Sequence, residues 1–275
     1  MSLEEIITLG SIRKDDERFK TWSLFSPEKF LLKTSRTPWL WKLELIAFAM
    51  SVLAILAFRM QLLGWRPALL LTAATLTGVV LIGFLSLIVL FAKLRSGRQQ
   101  GASRHCLLAA LLSLPVLIAI LLLGMRGTKV PPIHDITTDL ASPPGLTAAA
   151  SQRAPDDNSV LYAGPAIAEQ QRQAYADIAP IKTSMPPDQA YARALATARA
   201  LGWQVVGENQ AQGSIEATDS SLLFGFIDDI AIRITTDGSG SRIDIRSASR
   251  AGVSDLGVNA KRIRNFIHHF NKPKD

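Results

Sequence analysis

Three long apolar stretches, followed by a half whose hydrophobic pattern switches from a helical period to strict alternation, predict three transmembrane α-helices followed by an α+β domain. That domain is expected to be an antiparallel four-stranded sheet with two flanking helices. Composition agrees, since 48% of the 275 residues are hydrophobic, a high share for a soluble chain. The formal charge of +7 is unevenly placed: residues 1–124 hold 14 Lys/Arg against 7 Asp/Glu, and residues 125–275 hold 16 against 16. A basic surplus confined to the apolar half belongs to membrane topology and lipid headgroups, which argues against nucleic acid as a partner. The single cysteine, Cys106, excludes an intramolecular disulfide and any cysteine-based metal cluster. The expected organisation is a cytoplasmic amphipathic segment over 1–42, a three-helix membrane domain over 43–125, an extended linker over 126–160 and an extracytoplasmic domain over 161–275.

In the first segment, Trp22, Phe25, Phe30, Trp39 and Trp41 alternate with lysines and arginines, as suits a helix lying among headgroups. The spans are expected at 43–63, 68–92 and 106–123. The second is uncharged over its length, and Pro115 in the third is tolerable in lipid as a kink. Glu44 and Arg59 stand near the ends of the first span, where snorkelling to the interface is expected in preference to an intramembrane ion pair. The first apolar run starts beyond residue 40, which is late for a cleavable signal peptide. Arg13, Lys14, Arg18, Lys20, Lys29, Lys33, Arg36 and Lys42 precede the first span. Lys93, Arg95, Arg98 and Arg104 separate the second from the third, against Arg66 and the borderline Arg59 in the intervening turn. The positive-inside rule then places the N-terminus in the cytoplasm and residues beyond 125 outside it.

The stretch "GTKVPPIHDITTDLASPPG" has no helical or strand period and reads as an extended connector docked along the domain. His134, Asp135 and Asp139 within it are weak candidates for a metal site, because no matching cluster of donors occurs elsewhere. Ile167, Ala174, Tyr175 and Ile178 suggest a short helix. A firmer one has Asp188 as N-cap, Tyr191, Ala194, Leu195, Ala198 and Leu201 on one face, and Gly202 as its stop. "GWQVVGE", "GSIEATD", "DIAIRITT" and "SRIDIRSA" alternate as four strands, one face apolar and the other facing water, with Asp237-Gly238 marking a hairpin. Leu256, Ile263, Phe266, Ile267 and Phe270 form a closing helical stripe capped by Ser254 or Asp255. No Gly-rich dinucleotide turn, phosphate-binding loop or Gly-x-Ser-x-Gly elbow occurs, so no cofactor is expected.

The densest polar stretch is "RSASRAGVSDLGVNAKRIRNF", residues 246–266. With Arg246 on the solvent face of its strand, Arg250 in the turn and a helix start beyond it, guanidinium groups and free amides would suit a carboxylate or phosphate. Arg246, Ser249, Arg250, Ser254, Asp255, Asn259 and Arg262 are therefore the candidate ligand-binding residues. A competing expectation has Asp228 or Asp229 pair with Arg246 or Arg250, Asp255 cap the helix, and Asn259 satisfy the turn. Asp228, Asp229 and Asp255 are the candidate acids and bases of an alternative enzyme, although neighbouring strand residues point to opposite faces.

"GFIDDIAIRI" and "IDIRSASRAGVSDLGVNAKRIRNF", with "ALGWQVV" and "PPIHDITTD" upstream, resemble the uncharacterised family called domain of unknown function 1499, in its membrane-anchored bacterial envelope version. The likeness covers about residues 131–271. It implies a domain boundary and an envelope location and carries no reaction. The expected protein is thus a multi-pass component of the cytoplasmic (inner) membrane with a periplasmic C-terminal domain. That domain would recognise an anionic envelope molecule, a lipid headgroup or a membrane protein partner. The alternatives are an envelope hydrolase using the three aspartates and a structural subunit of a membrane complex in which the arginines hold the fold.

Overall fold

The computed structural model describes residues 38–96 and 103–272. Most of the basic, aromatic N-terminal segment, and Arg98 between the second and third spans, lie outside the described residues. The chain divides into two compact units, Met1–Ala54 with Pro67–Ala119 and Ile55–Arg66 with Ile120–Asp275.

Three helices are long and apolar enough to cross a membrane: α1 (Pro38–Arg59), α2 (Trp65–Arg95) and α3 (Ser103–Gly127). α1 ends earlier than expected because the chain turns at Gln61, which takes a positive φ of 59°. α2, at 31 residues, is roughly 46 Å long against a hydrocarbon core of ~30 Å. α3 continues through Pro115. In the first unit, Thr72, Val79, Gly83, Ser86 and Val89 of α2 are buried at helical spacing. A Cβ on Gly83 would lie 2.0 Å from Ser113 Oγ of α3, the close approach that small residues permit between helices in lipid. Thr72, Thr75 and Thr77 donate to carbonyls of their own helix, at 2.8 Å each. Glu44 departs from expectation. It is fully buried, and neither carboxylate oxygen has a hydrogen-bond partner among the described residues.

After α3 come β1 (Asp135–Thr137), α4 (Pro165–Ala174), β2 (Ile181–Thr183), α5 (Pro187–Ala200), β3 (Gln204–Asn209), β4 (Ser214–Ser220), β5 (Ile227–Asp237), β6 (Gly240–Ser249) and α6 (Val258–Asn271). The sheet has six strands, not four, in the order β1-β6-β5-β4-β3, with β2 also pairing β6 and every pair antiparallel. The two additional strands lie end to end along the outer edge of β6, β1 against Arg246–Ala248 and β2 against Ser241–Ile243. Gln171 of α4 closes the outer side of β1: its amide accepts from Thr137 N at 3.0 Å and donates to Thr137 O at 2.6 Å, protecting a strand edge that would otherwise be open.

α5 and α6 pack on the isoleucine face, where Ile215, Ile230, Ile232, Ile243, Ile245, Ile263, Phe266 and Phe270 are 0–1% exposed. Each such side chain contributes about 1.5–3 kcal/mol by leaving water. Asp188 sits in the first turn of α5 and Pro186 takes the N-cap position. α6 starts at Val258, later than expected, because Leu256 and Gly257 are both left-handed (φ 53° and 81°) and helical geometry can begin only after them. The opposite sheet face is not in water. The chain between β1 and α4 covers it, with Leu146 and Ala149 packed on Ala231 and Ala248.

Candidate functional site

Alternation along β6 assigns Ile243, Ile245, Ser247 and Ser249 to the helix-covered face and Arg242, Asp244, Arg246 and Ala248 to the other. The residues expected to form one site are therefore split between two buried faces. Under the cover segment, Arg246 is 3% exposed, which corrects its expected solvent position. It binds Asp135 bidentately, Nε to Oδ1 at 2.9 Å and Nη2 to Oδ2 at 2.7 Å. Its remaining donors reach the carbonyls of Pro144 at 3.2 Å and Val160 at 2.8 Å. Tyr162 stacks beside the guanidinium, 5.8 Å from ring centre to Cζ. Burial pushes the Tyr162 hydroxyl up to about 12, with Asp135 adding to the shift and Arg246 opposing it.

Arg250 follows on the same side. It meets Asp229 through Nη2 at 2.7 Å and Nε at 3.0 Å, and donates to Gln152 O at 3.0 Å. Asp229 is wholly buried and receives a second guanidinium, from Arg153 Nε at 2.7 Å. Arg153 also donates to Asn158 O, and Asn158 Nδ2 ties back to Ser249 O and Gly252 O. A third group joins Asp244 and Asp139 to Arg242 and Arg233 at 2.9–3.2 Å. Burial pushes the Asp139 carboxyl up, but the amides of Ser142 and Ala141 and the charges of Arg242 and Arg233 outweigh it and hold the group below its usual range. Glu216 of β4 completes the face by accepting from the amides of Thr147 and Ala149, both at 2.9 Å.

On the helix side, Arg262 of α6 lies between Asp228 (2.7 Å) and Asp219 (2.9 Å) and donates to Ser247 Oγ at 3.0 Å and to Asn259 Oδ1. Asn259 in turn donates to His134 O and Ser249 Oγ, both at 2.9 Å. Asp255 accepts from the amides of Gly257 and Asn259 at 2.8 Å each, so its own carboxylate occupies the anion position at the start of α6. Burial raises the Asp255 pKa, and nearby Asp228 raises it further, against the two amides that lower it. Ser254 Oγ accepts from Leu256 N at 3.2 Å.

Asp228 and Asp229 are on opposite faces, one bound to Arg262 and the other to Arg250 and Arg153. His134, Asp135 and Asp139 do not converge: Asp135 belongs to Arg246 and Asp139 to Arg233 and Arg242. Among the described residues no group of three His, Cys, Asp or Glu is placed to hold a metal. Sequence reasoning missed Arg153, Asp219, Asp244 and Glu216. For Glu216 and Asp244 the available signal was an acidic residue flanked by apolar ones in a strand; nothing in the pattern marked Arg153 or Asp219.

Residues 135–270 match the family model described as "Protein of unknown function (DUF1499)". Among solved structures, the crystal structure of CalU16 from Micromonospora echinospora matches at 15% identity with a TM-score of 0.22, covering 34% of this chain and 74% of that one. No curated protein matches.

Proposed function

Residues 135–270 are a domain of the DUF1499 family, and from that premise we propose that the chain is a structural subunit of a bacterial inner-membrane complex. On this reading three helices anchor it, the N-terminus is cytoplasmic and the α+β domain is periplasmic. The Lys/Arg gathered up to the first turns of α1, and Lys93, Arg95, Arg98 and Arg104 around the junction of α2 and α3, support the orientation. One observation carries the choice of a structural role over anion recognition. Arg246, Arg250 and Arg262 are each at least 92% buried and already bound by carboxylates. An anion arriving at Arg246 or Arg250 would have to displace Asp135 or Asp229 and leave that carboxylate buried without its cation. The test is twofold. Alkaline phosphatase fused after residue 272 should be active and a fluorescent protein at the same place dark; the reverse result sinks the orientation. Mild-detergent extracts of native membranes should hold the chain in a larger assembly of fixed stoichiometry, and a lone chain on native gels sinks the subunit role.

A second reading rests on Asp255, which stands at the start of α6 bound to the amides of Gly257 and Asn259 and whose pKa burial raises. As the general acid of an envelope hydrolase it would keep its proton longer than a free aspartate. Turnover of envelope esters, glycans or phosphates that disappears in a folded Asp255→Asn variant is what this reading requires.

A further inference from the structure

Beyond α3, six large hydrophobic side chains of the described residues are exposed: Leu161 and five that fall in two groups. Leu222 (97%) and Leu223 (65%) are in the β4–β5 loop, and Val253 (75%) and Leu256 are in the segment leading into α6, with Val258 the first residue of that helix. Each loop is tied, inside the second unit, to the end of a membrane helix. Arg59, the last residue of α1, donates from Nη1 to Leu222 O at 2.9 Å and to Leu223 O at 3.4 Å. Phe58 lies against Phe226 with ring centres 5.2 Å apart. At the end of α3, a Cβ built on Gly127 would be 3.7 Å from Leu256 Cδ2.

Helices α1 and α3 run in the same sense through a bilayer, since α2 returns between them, so both ends emerge from one leaflet. Trp65, with the Arg66 guanidinium 5.1 Å over its ring, opens α2 at that level. Such a pair belongs at the headgroup layer. Leu256 adds an independent sign. Its φ of 53° is unusual for a residue other than glycine, and a position holding a large apolar side chain outward in that conformation points to a use for the side chain.

We propose that the loops 221–226 and 253–258 form a lipid-contacting rim, with Leu222, Leu223, Val253, Leu256 and Val258 entering the boundary between headgroups and acyl chains in the leaflet where α1 and α3 end. With α1 and α3 crossing the membrane, the helix ends that hold these loops lie at its surface, and that selects the bilayer over a second copy of the chain as the occupant. The proposal rests on α1–α3 crossing the membrane, and the experiment separates the two claims.

The full chain, carrying Cys106→Ala, is given one nitroxide label at a time through Leu222→Cys, Val253→Cys, Leu81→Cys on the exposed side of α2, or Ser239→Cys in the β5–β6 turn. All four positions are exposed, so the label displaces no packed side chain. In phosphatidylethanolamine–phosphatidylglycerol vesicles, collision with oxygen is compared with collision with a water-soluble nickel chelate. Labels at 222, 253 and 81 should favour oxygen several-fold, and the label at 239 should favour nickel. If 222 and 253 behave like 239, the rim is wrong while the anchor stands. Low access of both reagents at 222 and 253 means that protein, a second copy included, covers the loops, and this also overturns the proposal. A nickel-accessible label at 81 removes the anchor and the rim together.

Discussion

Removing the Arg250 side chain tests whether the buried guanidinium groups hold the fold or await a ligand. Arg250→Ala takes three hydrogen bonds from Asp229, two through Nε and one through Nη2, and one from Gln152 O. The side chains are 8% and 0% exposed, so the carboxylate loses its partner away from bulk water. Breaking a buried pair on one side costs about 3–5 kcal/mol. Arg153 still reaches Asp229 at 2.7 Å, which puts the expectation at the lower end, about 3 kcal/mol. For a domain of this size that lowers Tm by about 10 °C. Arg153→Ala added to Arg250→Ala strips the carboxylate of both cations and should cost more than the two single changes together. Asp229→Asn in that double variant should recover part of the loss. The transition can be followed through Trp203, which is buried against Phe266 at 5.6 Å, with Trp22, Trp39, Trp41 and Trp65 replaced by Phe. A fall of Tm under about 2 °C for Arg250→Ala would refute the structural role and restore the case for a ligand.

Two carboxylates should shift stability with pH in opposite directions. Asp139 is held below its ordinary range, so its contribution is complete above about pH 4, the unfolded value, and is lost as pH falls through the folded one; Asp139→Asn should gain on wild type only there. Asp255 is raised, so its contribution is present below about pH 4 and is lost as pH rises through the folded value. Asp255→Asn should gain on wild type across that mildly acidic window, as urea titrations at several pH values would read. In the first unit, Gly83→Ala must displace Ser113, 2.0 Å from the new Cβ, whereas the Cβ added by Gly78→Ala meets nothing within 4 Å. The first should destabilise the helices by about 1–3 kcal/mol and the second leave them unchanged in a detergent melt. Gly213→Ala combines φ 63° with a Cβ 2.2 Å from Ile234 O, and Gly238→Ala has φ 61° with free space. Gly213→Ala should destabilise the domain by clearly more than the ~1–2 kcal/mol conformational cost the two share, and so lower Tm further than Gly238→Ala does.

What the sequence revealed follows from what periodicity encodes. The three spans are legible because length and lack of charge define them. β5 and β6 are legible because isoleucines recur at every second position, and β3 and β4 because short runs between glycines and turn residues alternate apolar with polar. β1 and β2 are not, since three residues each cannot display a period of two, and their place is set by the free edge of β6. Alternation correctly separated Arg246 from Ser247 but could not say whether the arginine face was covered. The cover is an irregular segment held by Leu146, Ala149 and carbonyls such as Pro144 O, none of which leaves a repeating trace. The competing expectation, that Asp228 or Asp229 pairs with Arg246 or Arg250, left four pairings open, of which the structure forms one, Asp229 with Arg250. For Arg246 the partner is Asp135, 111 positions away in sequence, a match that only the strand register creates. Glu44 escaped because its burial depends on which side of α1 faces its neighbours.

The Arg246–Asp135 pair allows the sharpest separation of stability from geometry. β6 is buried on both faces, so a one-residue slip would drive Arg246 into the isoleucine core and Ile245 under the cover. The pair also fastens a three-residue strand and, through Pro144 O and Val160 O, two distant points of the cover segment. Replacing both partners together, Arg246→Met with Asp135→Leu, removes two buried charges, a change worth about 1–4 kcal/mol in favour of folding in comparable cases. Against this stand two carbonyls left without donors, at about 1–3 kcal/mol each. The central values leave the double variant about 1–2 kcal/mol less stable than wild type, whereas Arg246→Met alone leaves the same two carbonyls bare and Asp135 charged as well, and should cost at least about 3–5 kcal/mol. Amide exchange across residues 138–163 should nevertheless quicken in the double variant, since nothing fixes the cover at those carbonyls. A double variant more than 3 kcal/mol less stable, or one with unchanged protection under the cover, would show that the pair contributes net stability rather than register.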